Sequence, residues 1–395
     1  MTALGENGND QNHGLVNNSG AAATLRGGSF TGRGGTGTTW GIVNADSGTT
    51  MVAQGVTALG EGGDDYNHGL DNCNAATVTL CCGSFIGRGG THAYGIHNDG
   101  DTTLQAQGVI AVGEGGTGAS LGLDNSSGAQ ATLHSGSFTA RGTGTTYGVR
   151  NQSATLEAES ATALGESGGY NYGLYSYDGA ATLRGGAFTG RGGTNATGIG
   201  CLGVNTSTLE AESVTALGET GEDYNYGLSA ASSSTALLWG GSFTGRGKGT
   251  GTNRGIRNAG VLEGEGVTAL GEGGDSESYG LYNFTGAEAT LRGGSFTGRD
   301  GTHAYGIFSY NATLVADSIA ALAEDAISTN DALANDGGTA MVNSSQLTGS
   351  SNGLRQWSGT VRFGVSQLDG GATRNAGTLT CFQVYDEAYT AYACP

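Results

Sequence analysis

Apolar residues recur along the chain at two alternating intervals, which predicts a repeating structure. Successive leading apolar residues lie 23 to 29 residues apart, and the long and short intervals alternate, so that a pair spans 52 to 55 residues. Half-repeat A begins with a sequence like VTALGE, and half-repeat B with one like FTGRGG. The leading residues are Met1, Phe30, Val56, Phe85, Val109, Phe138, Ala161, Phe188, Val214, Phe243, Val267, Phe296 and Ile319.

Each half-repeat contains three short β-like segments separated by glycine or small polar residues. Alternation with period two is clear at 155–159, where Leu156 and Ala158 share one face and Thr155, Glu157 and Glu159 the other, as in a half-buried strand. Three strands per half-repeat without helices predict an all-β parallel β-helix of about 13–15 coils of ~26 residues, paired as ~53-residue repeats. The four-stranded blades of β-propellers and the LxxLxL pattern of leucine-rich repeats do not fit.

The regularity divides the chain into three parts. Residues 1–318 form regular coils, residues 319–370 degenerate terminal coils, and residues 371–395 a cap closed by a predicted disulfide between Cys381 and Cys394. Met1 stands where Val56 stands in the repeat, with no cap before it. We therefore expect that the chain continues upstream or that another molecule covers this end.

Stacked coils place equivalent residues above one another, so repeated identities predict ladders. One position of the second segment is usually asparagine, and we expect its amides to bond to one another as a structural ladder. Its members are Asn17, Asn44, Asn72, Asn98, Asn125, Asn151, Asn258, Asn283 and Asn335, with Ser176, Cys201, Ala230 and Ser309 as departures.

Charged residues repeat as well. Each A coil carries a glutamate, and each B coil carries an arginine that is two positions closer to the leading residue. We therefore expect arginines and glutamates of adjacent coils to form a diagonal ladder of ion pairs, which would fix the order of A and B coils. In chain order its members are Glu6, Arg33, Glu61, Arg88, Glu114, Arg141, Glu166, Arg191, Glu219, Arg246, Glu272, Arg299 and Glu324. An anion or sugar-acid site at the arginines is the functional alternative.

A row of aromatic or histidine residues precedes the glycine of the second segment. Its spacing matches the inward Leu and Ile positions, which favours a buried stack; rings turned outward would instead suit sugar binding. The row comprises His13, Trp40, His68, Tyr94, Tyr147, Tyr172, Tyr226, Tyr279 and Tyr305.

Composition narrows the choice of function. Glycine accounts for 79 of 395 residues and the net charge is −19, with Lys248 as the single lysine. So much glycine disfavours long helices. The acidic charge disfavours nucleic-acid binding, and no apolar run is long enough for a membrane helix.

Candidate chemistry is sparse. Acidic loops at 62–65, 222–223 and 275–277 offer Ca²⁺ as the one cofactor considered, although the calcium-binding β-roll nonapeptide is missing. The six histidines form no recognisable metal pattern, and no catalytic or dinucleotide motif occurs, so no catalytic, cofactor or metal residue is assigned. Cys201 is expected to be buried and free, whereas Cys73 could pair with Cys81 or Cys82.

The chain as a whole resembles secreted bacterial repeat proteins of the right-handed parallel β-helix, pectin-lyase-like superfamily. Its ending, VSQLDGGATRNAGTLTCFQVYDEAYTAYACP, resembles the terminal segment of bacterial cell-surface and tail-fibre-like β-helix proteins. The resemblance implies right-handed coils and an extracellular or cell-surface location. The calcium-binding aspartates and catalytic arginine of pectate lyases have no match here, so lyase activity is not implied.

These features favour a non-enzymatic extracellular structural protein. It would be a rigid rod on the cell surface, or a subunit that associates head to tail with copies of itself into a fibre or sheath, without nucleic acid or membrane insertion. The alternative is an adhesin that binds surface glycans, or a polysaccharide-active lyase or hydrolase.

Overall fold

The computed structural model describes residues 1–248 and 251–395. These residues form strands and turns without a helix, and they divide into two compact units, Met1–Gly193 and Thr194–Pro395. Both units are parallel β-solenoids, in which each coil contributes three strands. The predicted all-β class and parallel β-helix are thereby confirmed, and the path of the chain is consistent with a right-handed helix.

The first unit contains coils 1 to 7, numbered by their second strands, and ends with one further first strand. The first strands are Thr2–Glu6, Ser29–Arg33, Thr57–Glu61, Ser84–Arg88, Thr162–Glu166 and Ala187–Arg191. The second strands are Gln11–Asn17, Thr38–Ala45, Tyr66–Cys73, His92–Asp99, Ala119–Ser126, Thr145–Gln152 and Tyr170–Tyr177. The third strands are Ala22–Arg26, Thr50–Gln54, Thr77–Cys81, Thr155–Glu159 and Ala180–Arg184. Two long strands, Thr103–Gly116 and Gln130–Gly142, each join a third strand to the first strand of the next coil.

The second unit contains coils 8 to 15. Its first strands are Thr215–Glu219, Ser242–Gly247, Thr268–Gly273, Ser295–Arg299, Ala320–Glu324, Gln346–Gly349 and Gln367–Asp369. Its second strands are Asn195–Leu202, Tyr224–Ala230, Thr252–Asn258, Glu277–Asn283, His303–Tyr310, Thr329–Asp336, Asn352–Gln356 and Ala372–Arg374. Its third strands are Ser207–Glu212, Ser234–Trp239, Val261–Glu265, Glu288–Arg292, Thr313–Asp317, Thr339–Asn343, Thr360–Gly364 and Thr378–Phe382.

Within each unit the first and third strands belong to one sheet and the second strands to another. Each strand pairs in parallel with the same strand of the adjacent coil, as Ser84–Arg88 does with Thr57–Glu61. Inward residues alternate with outward ones, so that Leu104 and Ala106 are buried while Gln105 and Gln107 between and beside them are exposed. The inward residues of successive coils therefore form a continuous apolar core.

The alternation of A and B coils follows from how their cores fill space. Phe85 of a B coil lies in register with Ala58 of the A coil before it, and Gly83 stands where that coil has Val56. A Cβ atom on Gly83 would come within 3.0 Å of the Phe85 ring. The large ring thus takes the volume that valine takes in an A coil, and each coil type packs against the other.

A corner glycine divides every second strand whose sequence contains YGI, YGL or a similar triplet. A Cβ atom on Gly95 would lie 2.5 Å from Val112 N and 2.6 Å from Gly122 O, so the second strand passes too close to the first sheet for any side chain. Gly95 has no partner in the strand register, and the alternation of faces changes there. Tyr94 and His97 consequently lie together on the outer face, with ring centroids 5.3 Å apart, while Ala93 and Ile96 are buried in the core.

Candidate functional site

The asparagine ladder is buried and continuous through coils 1 to 6. Each amide Nδ2 donates to the Oδ1 of the next asparagine at 2.7–2.8 Å, from Asn17 through to Asn151. In the second unit Asn258 donates to Asn283 at 2.9 Å. The second amide proton reaches a strand carbonyl, as from Asn125 to Thr155 O at 2.9 Å. Asn335 donates to Ser358 O, and its Oδ1 has no partner among the described residues.

A second set of buried asparagines was not predicted. Asn67 holds the preceding turn, because its Oδ1 accepts from Gly63 N and its Nδ2 donates to Gly63 O, both at 2.9 Å. Asn225 makes the same pair of bonds with Gly221. The signal in the sequence is an asparagine three or four residues after the turn glycine, and this set, like the first, serves the backbone.

The arginine and glutamate rows pair directly. Arg33 lies opposite Glu6 and Glu61 in register, so the predicted diagonal offset of two residues is wrong. The offset arose from treating Phe30 as equivalent to Val56, whereas Phe30 is in register with Ala58. Ion pairs join Arg33–Glu61 at 2.7 Å, Arg88–Glu114 at 2.5 Å, Arg88–Glu61 at 3.3 Å, Arg141–Glu166 at 2.5 Å, Arg191–Glu166 at 3.6 Å, Arg246–Glu272, Arg299–Glu272 at 3.9 Å and Arg299–Glu324 at 2.7 Å.

The aromatic row lies on the outer face of the second sheet and its rings stack on one another. The favoured prediction of a buried stack is confirmed for His68, Tyr94, Tyr279 and Tyr305. His13 and Trp40 have ring centroids 4.4 Å apart with planes within 3°, and His68 and Tyr94 are 4.8 Å apart within 7°. In the second unit Tyr279 and Tyr305 are 5.1 Å apart within 13°. Because each ring covers the face of its neighbour, these rings present edges rather than faces to the solvent.

One group of charged residues interrupts the repeats and occurs on the outer face of coils 3 to 6. His97 Nδ1 lies 2.8 Å from Asp71 Oδ1, and His97 Nε2 lies 3.5 Å from Asp124 Oδ2. Arg150 donates to both carboxylate oxygens of Asp124 at 2.7 Å. Trp40 Nε1 donates to Asp71 Oδ2 at 3.1 Å. We call Asp71, His97, Asp124 and Arg150 the charged row.

Position in the fold explains why these side chains meet. Each of the four is the residue after the inward Leu, Ile or Val of its second strand, and the parallel register places them one above another. Asp124 is 1% exposed, so its charge depends on Arg150 and His97 for compensation. Removal of charged groups from water is costly unless they are paired, which they are here.

The two central histidines are in opposite electrostatic states. For His97, burial lowers the pKa, but the hydrogen bond to Asp71 and the charges of Asp71, Asp124 and Asp99 outweigh it and raise the pKa to about 9. For His68, burial lowers the pKa to about 4, and the charge of Asp71 offsets this only in part. Burial also raises the pKa of Asp71, yet the hydrogen bond from His97 and the charges of both histidines hold it below its usual value. At neutral pH, His97 is therefore a cation between two carboxylates and His68 is neutral.

From the sequence, His92 and His97 were assigned to one coil and His68 to the coil before it, and no metal-binding pattern was recognised in them. The structure brings His68 and His97 together, with ring centroids 5.2 Å apart, because the corner glycine turns both onto the same face. Among the residues described, the single group of three or more side chains suited to a metal ion is His68, Asp71 and His97. The acidic loops proposed for Ca²⁺ contribute no such group there.

The cysteines fall into three environments. Cys381 and Cys394 are placed as a disulfide pair, with Cα atoms 6.1 Å apart. Cys73 is a free thiol rather than a partner of Cys81 or Cys82, and the Sγ atoms of Cys81 and Cys82 lie 3.0 Å apart. Cys201 is buried and free, which confirms the prediction.

Comparison with models of protein families and with curated proteins finds no match. Among solved structures, two of the periplasmic alginate epimerase AlgG match, one of them a mutant. The chain is 8% identical to the mutant with a TM-score of 0.30, and 7% identical to the other with a TM-score of 0.23. Each alignment covers 94% of this chain and 78% of that chain. Likeness at this level says nothing about the function of this chain. None of the described residues forms a helix long and apolar enough to span a membrane.

Proposed function

We propose that the protein is a non-enzymatic structural β-solenoid that acts outside the cell or on its surface. The observation that supports this is the use of the repeated polar positions. The asparagines bond to one another and to strand carbonyls, the arginines bond to glutamates of adjacent coils, and the rings cover one another. Side chains that elsewhere bind substrate are here engaged in holding one coil to the next.

The proposed extracellular location rests on a disulfide and on the net charge. Disulfides persist in oxidising compartments, and Cys381 and Cys394 of the C-terminal segment are placed as a pair. A net charge of −19 with one lysine favours a soluble, mutually repelling surface. Secretion and bacterial origin remain parts of the proposal, which fractionation of cells that make the protein would test.

An activity survey tests the structural role. Purified protein is incubated with uronic-acid and neutral polysaccharides, and reducing ends, unsaturated uronates and sugar stereochemistry are measured. We expect no turnover, together with strong resistance to protease and denaturant. Turnover that is lost on Asp124→Asn, in a variant with unchanged circular dichroism, would instead assign the charged row to catalysis.

A second candidate, glycan binding, is favoured by one exposed side chain. Trp239 ends the third strand of coil 9, with 44% of its surface exposed, and lies in register with Glu265. Glu265 in turn is in register with Arg292. An indole face beside a carboxylate and a guanidinium is a suitable surface for a sugar ring. The stacked rings of the second sheet offer no such face, because neighbouring rings cover their faces.

Glycan binding at Trp239 is tested on an array of surface polysaccharides. The Trp239→Ala variant should lose any binding, whereas Tyr170→Ala, another exposed aromatic residue at 48%, should retain it. Binding that is insensitive to Trp239→Ala would eliminate this surface as the site.

A further inference from the structure

Three potential metal ligands converge on the outer face of coils 3 and 4. His68 and Asp71 belong to the second strand of coil 3 and lie on either side of its corner glycine, and His97 belongs to the second strand of coil 4. One ligand atom from each of the three lies within 4.8 Å of the others. The group thus spans two coils and is held by the parallel register of their strands.

An independent observation concerns His68. Its side chain is 94% buried, and its Nδ1 has no hydrogen-bond partner in residues 1–248 and 251–395. Neutral imidazole carries one donor and one acceptor, and a buried one is normally satisfied. The stacking of Trp40 and Tyr94 on either side fixes the ring without satisfying its nitrogen. A ligand that accepts a nitrogen lone pair would supply what the protein does not.

We propose that His68, Asp71 and His97 bind one divalent transition-metal ion of the zinc class. Two imidazoles and one carboxylate suit Zn²⁺, Co²⁺ or Ni²⁺, whereas Ca²⁺ takes six to eight oxygen ligands. Ligand atoms of a tetrahedral zinc site lie about 3.4 Å apart, given metal–ligand distances of about 2.0–2.1 Å. The Asp71–His97 separation of 2.8 Å would therefore widen slightly, and the ion would replace the proton that the two groups share.

The surroundings are those that orient metal ligands. With His97 Nδ1 directed toward Asp71, its Nε2 lies 3.5 Å from Asp124, which Arg150 holds by two hydrogen bonds. Trp40 donates to the Asp71 oxygen that His97 does not contact. Metal-bound histidines usually donate their second nitrogen to a carboxylate, and bound carboxylates are themselves hydrogen-bonded. Asp124, Arg150 and Trp40 then support the ligands His97 and Asp71.

Other histidines provide the contrast. His13, His92 and His303 also have a buried Nδ1 without a described partner, but none of them belongs to a group of three possible ligands. His134 is 58% exposed beside Glu159, so it serves as a control for adventitious binding at a surface histidine–carboxylate pair. A bound ion at the proposed site would connect coil 3 to coil 4 in addition to their backbone bonds.

The test uses the full chain without a histidine tag, stripped with chelator and titrated with Co²⁺ and Zn²⁺. We expect one Co²⁺ per chain with a visible spectrum typical of tetrahedral nitrogen and oxygen coordination, displaced by Zn²⁺. His68→Gln and His97→Gln should each lower the affinity by about 100-fold or more, and His134→Gln should leave it unchanged. Zn²⁺ should raise the melting temperature of the wild type but not of the two site variants.

His68 contributes stacking and no described hydrogen bond, so His68→Gln should fold even if His97→Gln does not, and circular dichroism checks both. Binding weaker than about 1 mM would overturn the proposal. Stoichiometric binding that survives both His68→Gln and Asp71→Asn would also overturn it. Neither result would affect the structural role proposed above.

Discussion

Two arginines nine positions apart should differ greatly in what their loss costs. Arg150 holds Asp124 by two bonds of 2.7 Å, and the side chains are 24% and 1% exposed. Arg141 holds Glu166 at 2.5 Å, but 51% of the arginine side chain is exposed. The variants Arg150→Met and Arg141→Met remove the same charge and keep a similar apolar stem.

The magnitudes follow from burial. Removal of one partner of a buried ion pair costs about 3–5 kcal/mol, because it leaves an uncompensated charge. Asp124 retains the His97 cation at 3.5 Å, so we expect the low end, about 3 kcal/mol, for Arg150→Met. An exposed pair contributes about 0–1 kcal/mol, so Arg141→Met should cost less than about 1 kcal/mol.

Denaturant unfolding compares the two variants with wild type, and amide hydrogen exchange locates the change. Solenoids can unfold in parts, so protection of strands Ala119–Ser126 and Thr145–Gln152 is the sharper measurement. The double variant Asp124→Leu with Arg150→Met removes both charges and should recover part of the loss. Equal effects of Arg150→Met and Arg141→Met, or a double variant worse than the single one, would refute the reasoning.

Further predictions concern the rest of the fold. In chelator-treated protein, His97 has a folded-state pKa of about 9 against 6.5 when unfolded. Its contribution to the free energy of unfolding is therefore complete below about pH 6.5 and is lost as the pH rises through 9. Urea midpoints measured across this range should show the loss of stability, and His97→Gln should abolish this pH dependence. Gly95→Ala should destabilise the protein by more than about 2 kcal/mol, because backbone atoms surround the position of the new methyl group. Gly169→Ala should be tolerated, because the nearest atom to its new methyl group would be 4.0 Å away. Thermal melts compare the two variants. Asn98→Ala removes the acceptor of one ladder bond, from Asn72 Nδ2, and the donor of the next, to Asn125 Oδ1, and should cost about 2–4 kcal/mol by denaturant unfolding; a loss under 1 kcal/mol would contradict the ladder's role. Reversal of several ladder arginines to glutamate should prevent folding, and an unchanged melting temperature would contradict a role in coil order.

The fold could be predicted from the sequence because the same pattern recurs in successive coils. Thirteen leading residues at alternating spacings determine where each coil begins, and in-register stacking then brings Asn98 next to Asn125 without further information. The offset between A and B coils could not be predicted in this way. Alignment by the leading apolar residue treated Phe85 as equivalent to Val56. In the structure Phe85 is in register with Ala58, and Gly83 stands where the A coil has Val56. Phe85 and Gly83 together therefore fill the core volume that Ala58 and Val56 fill in the A coil. Packing volume, and not the order of apolar residues, sets the register.

The charged row was hidden by the same regularity. Asp71, His97, Asp124 and Arg150 occupy one coil position, but the residue type there changes from each coil to the next, so no repeated identity drew attention to it. The face of the aromatic row was also misassigned, because period-two counting carries Tyr94 and Ile96 to the same side, whereas the strand turns at Gly95. Backbone atoms leave no room for a side chain at the corner glycine, and the strand turns there. Residues just before and just after such a glycine therefore lie close together on the outer face. In a solenoid of this kind, candidate sites should therefore be sought at positions that flank a corner glycine and vary from coil to coil, since repeated identities are already engaged in holding coils together.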